Sequence, residues 1–344
     1  MERAESAGPV VFVDSGGSIA VSHLQFLSDH FLSLGLDFDW MSIRSERTAP
    51  PIEDGSLVIS CNMRVDRWLE PVRDRVFQVQ LPHNLTSLKG SNLSVSKADL
   101  NVLPGLQFLQ SGAIDSADPR FVIGGYAKWD AVYRERFLQS ERRGYLSRRL
   151  SIEPEPHWVV FYPTGPNRDF SSNVHQACRV YERLQVKLGS LEFFFCNHSR
   201  NNDFETVRRD LDRIGELAAR DRHVHVVDGA DALPYISACD LFITDIASTV
   251  ITAISMGKPV LFMGIDCSGP GENMVADFQV GPFWHEVDDP LSVVSRGGPT
   301  PEQLELFRRC VAFDDDRNCE RITETILLGY RRWRDDRVKG RRRG

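Results

Sequence analysis

A chain of 344 residues, 42% hydrophobic and 26% charged, is long enough to build two globular cores. Its net charge of −7 argues against a general nucleic-acid binder, and no apolar run approaches the roughly 18–20 residues that span a bilayer. The opening segment is acidic, with Glu2 and Glu5, before it turns apolar, unlike a secretory signal, so the expectation is a cytoplasmic protein made without export. The seven cysteines are odd in number and scattered, with no Cys-x-x-Cys pair, which suggests reduced packing residues and neither a disulfide framework nor a zinc site.

In chain order, an apolar strand at 10–13 runs into Asp14-Ser15-Gly16-Gly17-Ser18 and then into an apolar-periodic helix at 19–34 stopped by Gly35. Short apolar runs at 57–60, 76–81 and 120–123 predict further strands of a parallel sheet. The charged stretch 141–156, ending in Glu-Pro-Glu-Pro, reads as a linker, so that domains of 1–150 and 151–300 are expected. The second repeats the theme: strands at 158–162, 192–196, 223–227, 241–244 and 260–263, with helices at 174–188, 204–219, 231–238 and 250–256. Right-handed crossovers place such strands in one parallel sheet with helices on both faces. The fold class expected is α/β: two Rossmann-like domains facing a cleft beyond the carboxyl ends of the strands. A last helical stretch, 301–333, has no strand after it and is expected to pack back on the first domain. Residues 331–343 hold eight basic and two acidic side chains, a basic tail of 334–344 that either contacts anionic lipid or is a solvated end.

The chemistry is expected where strands end. The strand at 241–244 opens into Asp245-Ile246-Ala247-Ser248-Thr249 and at once into a helix, which gathers hydroxyls and unpaired amides where phosphate oxygens are favoured. The alternative is that Ser248 or Thr249 only caps that helix. His83 and His198 each follow a strand and enter a polar loop. Either imidazole can take a proton from an attacking hydroxyl or, when protonated, oppose a phosphate. The loop 163–169 offers Thr164 and Arg168 to a diphosphate or to a local turn and salt bridge. In the loop 124–130 Lys128 is a phosphate candidate, while Asp130 caps the next helix on the plainer reading. Gly16 and Gly17 could form an anion nest, and Glu272 is a candidate hydroxyl contact in a flexible loop. Gly257-Lys258-Pro259 is an ordinary helix stop. No His-Glu-x-x-His, EF-hand or P-loop lysine occurs, so no metal or cofactor is expected.

Taken together the loops resemble those of the CDP-glycerol glycerophosphotransferase family, which primes or polymerises teichoic acids and related polyol-phosphate polymers. The family's His-Gly-Thr-x-x-Lys is similar to His83-Asn84-Leu85-Thr86-Ser87-Leu88-Lys89, and its Gly-Tyr-Pro-Arg/Lys-x-Asp to Gly125-Tyr126-Ala127-Lys128-Trp129-Asp130. Its Ala-Pro-Thr-x-Arg-Asp resembles Tyr162-Pro163-Thr164 through Arg168-Asp169, with extra residues between. Its Lys-x-His-Pro resembles Cys196-Asn197-His198-Ser199, and its Thr-Asp-Tyr-Ser-Ser resembles Thr244-Asp245-Ile246-Ala247-Ser248 ahead of Gly257-Lys258-Pro259. The likeness covers about residues 76–266. Asn84 stands in place of glycine, Ile246-Ala247 of Tyr-Ser, and Ser199 of proline.

The resemblance implies a GT-B-like fold and a transferase. An acceptor hydroxyl, on a glycan or lipid-linked acceptor, attacks the β-phosphorus of a CDP-activated glycerol or ribitol, and CMP leaves. Carried over, His83 is the candidate base and His198 the diphosphate partner, with Asp245, Ser248 and Thr249 at the phosphate. The absence of a long N-terminal extension leads to the expectation of a single-transfer or priming role in cell-surface polymer synthesis; the protein is expected to be cytoplasmic, and peripheral at the inner face of the membrane on the lipid-contact reading of its basic tail. A GT-B glycosyltransferase using a nucleotide sugar, a UDP-sugar epimerase-like enzyme, and a non-catalytic nucleotide- or glycan-binding relative share the architecture.

Overall fold

The structure, a computed structural model, describes residues 8–14, 18–43, 50–61, 64–82, 85, 96–110, 114–166, 172–265 and 278–341. It divides into two compact units, Met1–Ala131 with Arg309–Gly344, and Val132–Arg308.

Among the described residues the first unit holds a six-stranded parallel sheet: β1 (Val10–Asp14), β2 (Asp39–Ser42), β3 (Leu57–Ser60), β4 (Phe77–Gln80), β5 (Leu100–Leu103) and β6 (Phe121–Ile123), in the order β2-β1-β3-β4-β5-β6. Because side chains alternate along a strand, Phe12, Ile59 and Val79 pack under Leu27 and Phe31 of the helix Ser18–Ser33, whereas Val11, Val13 and Val58 pack on the other face with Val65, Trp68 and Val72. Both faces are covered, as an all-parallel sheet requires.

Two of these strands lack the apolar run that marks the others. β2 reads Asp-Trp-Met-Ser and is mostly exposed at the sheet edge. β5 is four residues long and interrupted by the fully buried Asn101.

The helical stretch 301–333 is two helices, Pro301–Cys310 and Asn318–Arg341. Ile322, Ile326 and Tyr330 of the second complete the core of the first unit. Asp130 fixes its start. The Asp130 carboxylate accepts the backbone N–H of Asn318 (2.7 Å) and of Cys319 (3.0 Å), so it caps this distant helix and not the next one in the chain. In return Asn318 Oδ1 accepts the N–H of Tyr126 (3.2 Å), and Trp129 Nε1 donates to Asp314 (3.1 Å). Gly125 has φ +104°, and a Cβ there would strike Asn318 Oδ1, so glycine is required on two grounds.

The second unit contains β7 (His157–Tyr162), β8 (Leu191–Asn197), β9 (Val224–Asp228), β10 (Leu241–Thr244) and β11 (Val260–Phe262), parallel and in the order β11-β10-β7-β8-β9. Its core sets Phe161, Phe193 and Phe195 of the sheet against Val180, Tyr181 and Leu184 of the helix Ala177–Leu188. The stretch 141–156, expected as a linker, is for the most part the helix Gln139–Leu150, and the boundary between the units falls near Val132. That helix is basic and poor in apolar residues, which hid it. Arg143 attaches it, bonding Asp240 (2.7 Å) and lying 4.9 Å over the Trp158 ring.

Asp130→Ala leaves two helix-start amides unpaired, and we expect it to lower the stability of the first unit by about 2 kcal/mol, read from the urea midpoint; Asp130→Asn, which keeps an acceptor, loses less.

Candidate functional site

In the second sheet the chain leaves β7 toward β8 and β9 on one side, and later returns to place β10 and β11 on the other, so the order reverses between β7 and β10. Ligands of open parallel sheets sit in the crevice beyond such a reversal. Asp245, the first residue past β10, lies there with no solvent exposure. Its Oδ1 accepts the N–H of Thr164, past the end of β7 (2.8 Å), and its own neighbour's N–H at Ile246 (2.6 Å). Its Oδ2 accepts from Asn173 Nδ2 (3.4 Å), which also donates to the Gly264 carbonyl past β11 (3.1 Å). One carboxylate and one amide thus tie the exits of β7, β10 and β11. The edge is tightened by Thr244 Oγ1, which donates to the Tyr162 carbonyl (2.6 Å), and by Ser172 Oγ, which donates to the Thr164 carbonyl (2.6 Å).

Burial raises the Asp245 carboxyl to about 6, against the lowering effect of the bonds from Thr164, Ile246 and Asn173. Desolvation outweighs the three donors, so ionised Asp245 destabilises the fold at neutral pH. Its oxygens accept bonds from Thr164, Ile246 and Asn173 inside the protein, which tie the loops together.

Ser248 and Thr249 begin the helix Thr249–Ser255, and Ser248 at the N-cap makes no side-chain cap bond. Simple capping by Ser248 therefore does not account for it. Thr249 Oγ1 is buried without a hydrogen-bond partner. Ile246 and Ala247 are buried at 3% and 5% exposure, so the two positions that depart from the family pattern pack inward.

His198 follows β8, the other neighbour of β7. Its ring meets Tyr162 edge-on, with centroids 6.3 Å apart, and its carbonyl accepts the N–H of Asn201 (2.8 Å). The Tyr162 hydroxyl donates to the Gly229 carbonyl (3.4 Å), and a Cβ on Gly229 would come within 2.7 Å of both Tyr162 Oη and the Asn197 carbonyl. The exits of β8 and β9 are therefore packed around Tyr162. Thr164, Asp245, Ser248, Thr249 and His198 share one edge of one sheet.

Lys128 lies in the first unit, in a recess lined with Leu24, Cys61, Leu81, Val102, Tyr126 and Ile322 at the carboxyl end of that sheet. It is half-buried and pairs with no carboxylate among the described residues, and burial holds its ammonium below the ordinary lysine value. Gly16, Gly17, His83, Arg168 and Glu272 lie outside the described residues. No group of three metal-ligating side chains occurs among the described residues.

Three contributors escaped the sequence reading. Asn173 carries no local signal, because its partners Asp245 and Gly264 are 72 and 91 residues away. Tyr162 reads as one more apolar strand residue. Ser172, whose hydroxyl accepts from Val174 N–H (3.4 Å), was missed as well, although a serine just before a helix is a signal that could have found it.

The raised carboxyl of Asp245 has a consequence for stability. The folded state holds this proton more tightly than the unfolded chain (about 6 against 3.8), so between roughly pH 4 and 6 the folded form binds more protons and stability falls as pH rises. The full contribution is on the order of 3 kcal/mol. Chemical unfolding of wild type and Asp245→Asn across pH 4–7.5 is expected to show that this part of the slope disappears in the variant.

No model of a known protein family matches the sequence, and no curated protein does. Solved structures do match. The wall teichoic acid polymerase TagF superposes with a TM-score of 0.63 at 13% identity, over 95% of this chain and 90% of that one, and a variant of it soaked with CDPG gives the same score. A glycosyltransferase from Rickettsia africae gives 0.56 at 12% identity, over 94% and 98% of the chains. The S. aureus MnaA–UDP co-structure gives 0.54 at 12%, over 92% and 94%. At such identity the likeness speaks for the fold: two α/β units with parallel sheets, the GT-B type of fold found in TagF, in glycosyltransferases and in UDP-GlcNAc 2-epimerase.

Proposed function

We propose that the chain is a transferase that moves a polyol-phosphate group, glycerol- or ribitol-phosphate-like, from a CDP-activated donor to a hydroxyl of a glycan or lipid-linked acceptor, with release of CMP, in cell-surface polymer synthesis. The observation that carries this reading is the convergence of Thr164, Asp245–Thr249 and His198 on one edge of one sheet, around its order reversal. The fold of TagF, one structure of which was soaked with CDPG, supports it.

On this reading the diphosphate lies against the exits of β7, β8 and β10, with the Ser248 and Thr249 hydroxyls and the amides beyond Asp245 as donors and His198 opposing the charge. The unpartnered Thr249 hydroxyl is then a donor held ready for the ligand. His83 is the proposed base, Arg168 a second diphosphate contact and Lys128 an acceptor-side cation. Glu272, Gly16 and Gly17 remain proposed substrate contacts. In-line attack between oriented groups needs little beyond positioning and charge stabilisation. The two units correspond on this proposal to an acceptor side and a donor side.

A nucleotide-sugar glycosyltransferase or epimerase-like enzyme is the second reading, favoured by the MnaA–UDP and UDP-GlcNAc-bound epimerase neighbours. We also propose peripheral contact with anionic membrane. No described helix is long and apolar enough to cross a membrane, but the last helix presents Arg331, Arg332 and Lys339 to solvent. Arg337 serves the fold instead, donating to the Asp74 carbonyl and lying over Trp333.

Purified protein given CDP-glycerol or CDP-ribitol with candidate acceptors is expected to release CMP; release from UDP-sugars alone selects the second reading, and binding without turnover selects a non-catalytic relative. His198→Ala is expected to reduce kcat/KM by 100-fold or more, and unchanged turnover removes the assigned role. Arg331→Glu with Arg332→Glu is expected to abolish sedimentation with phosphatidylglycerol vesicles while leaving turnover of a soluble acceptor intact.

A further inference from the structure

The fold keeps a carboxylate wholly out of water at the one place where three strand exits meet, and no lysine or arginine among the described residues pairs with it. Well-packed apolar residues would be more stable there. A buried ionisable group kept at the expense of stability is expected where its charged form has work to do. The work is visible in the bonds: Oδ1 holds Thr164 and Ile246, and Oδ2 holds Asn173, which holds Gly264.

A proton on Oδ2 would face the Asn173 Nδ2 hydrogens, donor against donor. Asn173 must then turn its amide so that its oxygen accepts from the carboxyl, and its nitrogen leaves the Gly264 carbonyl. The neutral carboxyl is also a weaker acceptor for the Thr164 and Ile246 amides than the carboxylate. One proton, taken from solvent, therefore loosens the exits of β7, β10 and β11 together.

We propose that Asp245 and Asn173 form a proton-operated clasp on the donor site, closed when Asp245 is ionised and released when it is protonated. The proposal rests on the reading of this edge as a nucleotide-diphosphate site. Asp245 is here a positioning residue. The other titratable groups around it are Tyr162 on β7, His198 beyond Tyr162, His175 on the turn that carries Asn173, and His285, whose Nδ1 lies 4.0 Å from where a Cβ of Gly264 would be. Tyr162 is pushed far above neutrality, first by burial and then by Cys196, Asp228 and Asp245. The histidines are the competitors for any acid-range effect.

The test uses the full chain, wild type and Asp245→Asn, which copies the shape of the protonated acid. Affinity is measured calorimetrically at pH 7.5 and 5.0 for CDP-glycerol and UDP-N-acetylglucosamine, whose diphosphates are diesters and do not titrate in this range. If only the ionised form binds, wild-type affinity falls about tenfold between the two pH values. The variant is expected to be weak and flat across them, yet higher in Tm than wild type at pH 7.5. A merely structural Asp245 would lower both together. A pH step that persists in Asp245→Asn belongs to a histidine and overturns the proposal. So does an affinity that rises on acidification, which would mean that the charge repels the diphosphate more than its bonds order the loops. Absence of binding of either nucleotide at pH 7.5 removes the donor-site reading. The Asn173 side-chain amide signals, followed by 15N NMR without ligand, still decide the clasp: a midpoint near pH 6 that is lost in the variant supports it, and no inflection overturns it.

Discussion

A carboxylate without solvent must take its hydrogen bonds from the protein, and at Asp245 this requirement organises the second unit. β7 and β10 are neighbours in the sheet, yet Thr244 and the Tyr162 beside it are 82 residues apart in sequence and meet only after three crossovers have folded. The loops beyond them have no reason of their own to adopt one arrangement. Asp245 supplies it: its two oxygens draw Thr164, Ile246 and Asn173 to one point, and Asn173 extends the tie to Gly264. Thr164 and the backbone that leads into Ser248 take their positions from that knot, whereas His198 is placed by β8 and Tyr162.

The first unit answers an equivalent problem in the same chemical terms. Asp130 receives two amides at the start of the helix Asn318–Arg341, and Asn318 returns a bond to Tyr126. The Gly-Tyr-x-Lys-x-Asp stretch, read from sequence as a ligand loop, therefore spends its glycine and aspartate on anchoring the end of the chain. Only Lys128 is left facing a recess, with apolar walls and no carboxylate partner among the described residues. A motif that looks functional in sequence is here mostly a device for docking a helix from the other end of the chain.

Fold and chemistry separate clearly in this molecule. Two parallel sheets with helices on both faces follow from alternating apolar runs, and structures at 12–13% identity share them. Of the departures from the teichoic acid family pattern, Ile246 and Ala247 pack inward beside Asp245. An aromatic and a hydroxyl are exchanged there for an aliphatic side chain and a methyl. The exchange leaves the Asp245 knot undisturbed, since the bond to Ile246 is made by its backbone.

What the sequence by itself determined was whatever depends on near neighbours. Most of the strands β7 to β11 were legible because short buried apolar runs carry their own signal, and the strand–loop–helix from Leu241 to Ser255 because its parts are contiguous. β2 and β5 were not, since an exposed edge strand and a strand broken by Asn101 have no such run. The helix Gln139–Leu150 was hidden because an Arg143–Asp240 pair across 97 residues, not an apolar stripe, attaches it. The tertiary structure alone decided that Asp245 is buried and bonded to Thr164, that Asp130 caps a helix 188 residues away, and that Asn173 bonds Asp245. Each depends on hydrogen bonds between residues that only the assembled sheet brings within reach, and no local pattern of side chains records such a partner.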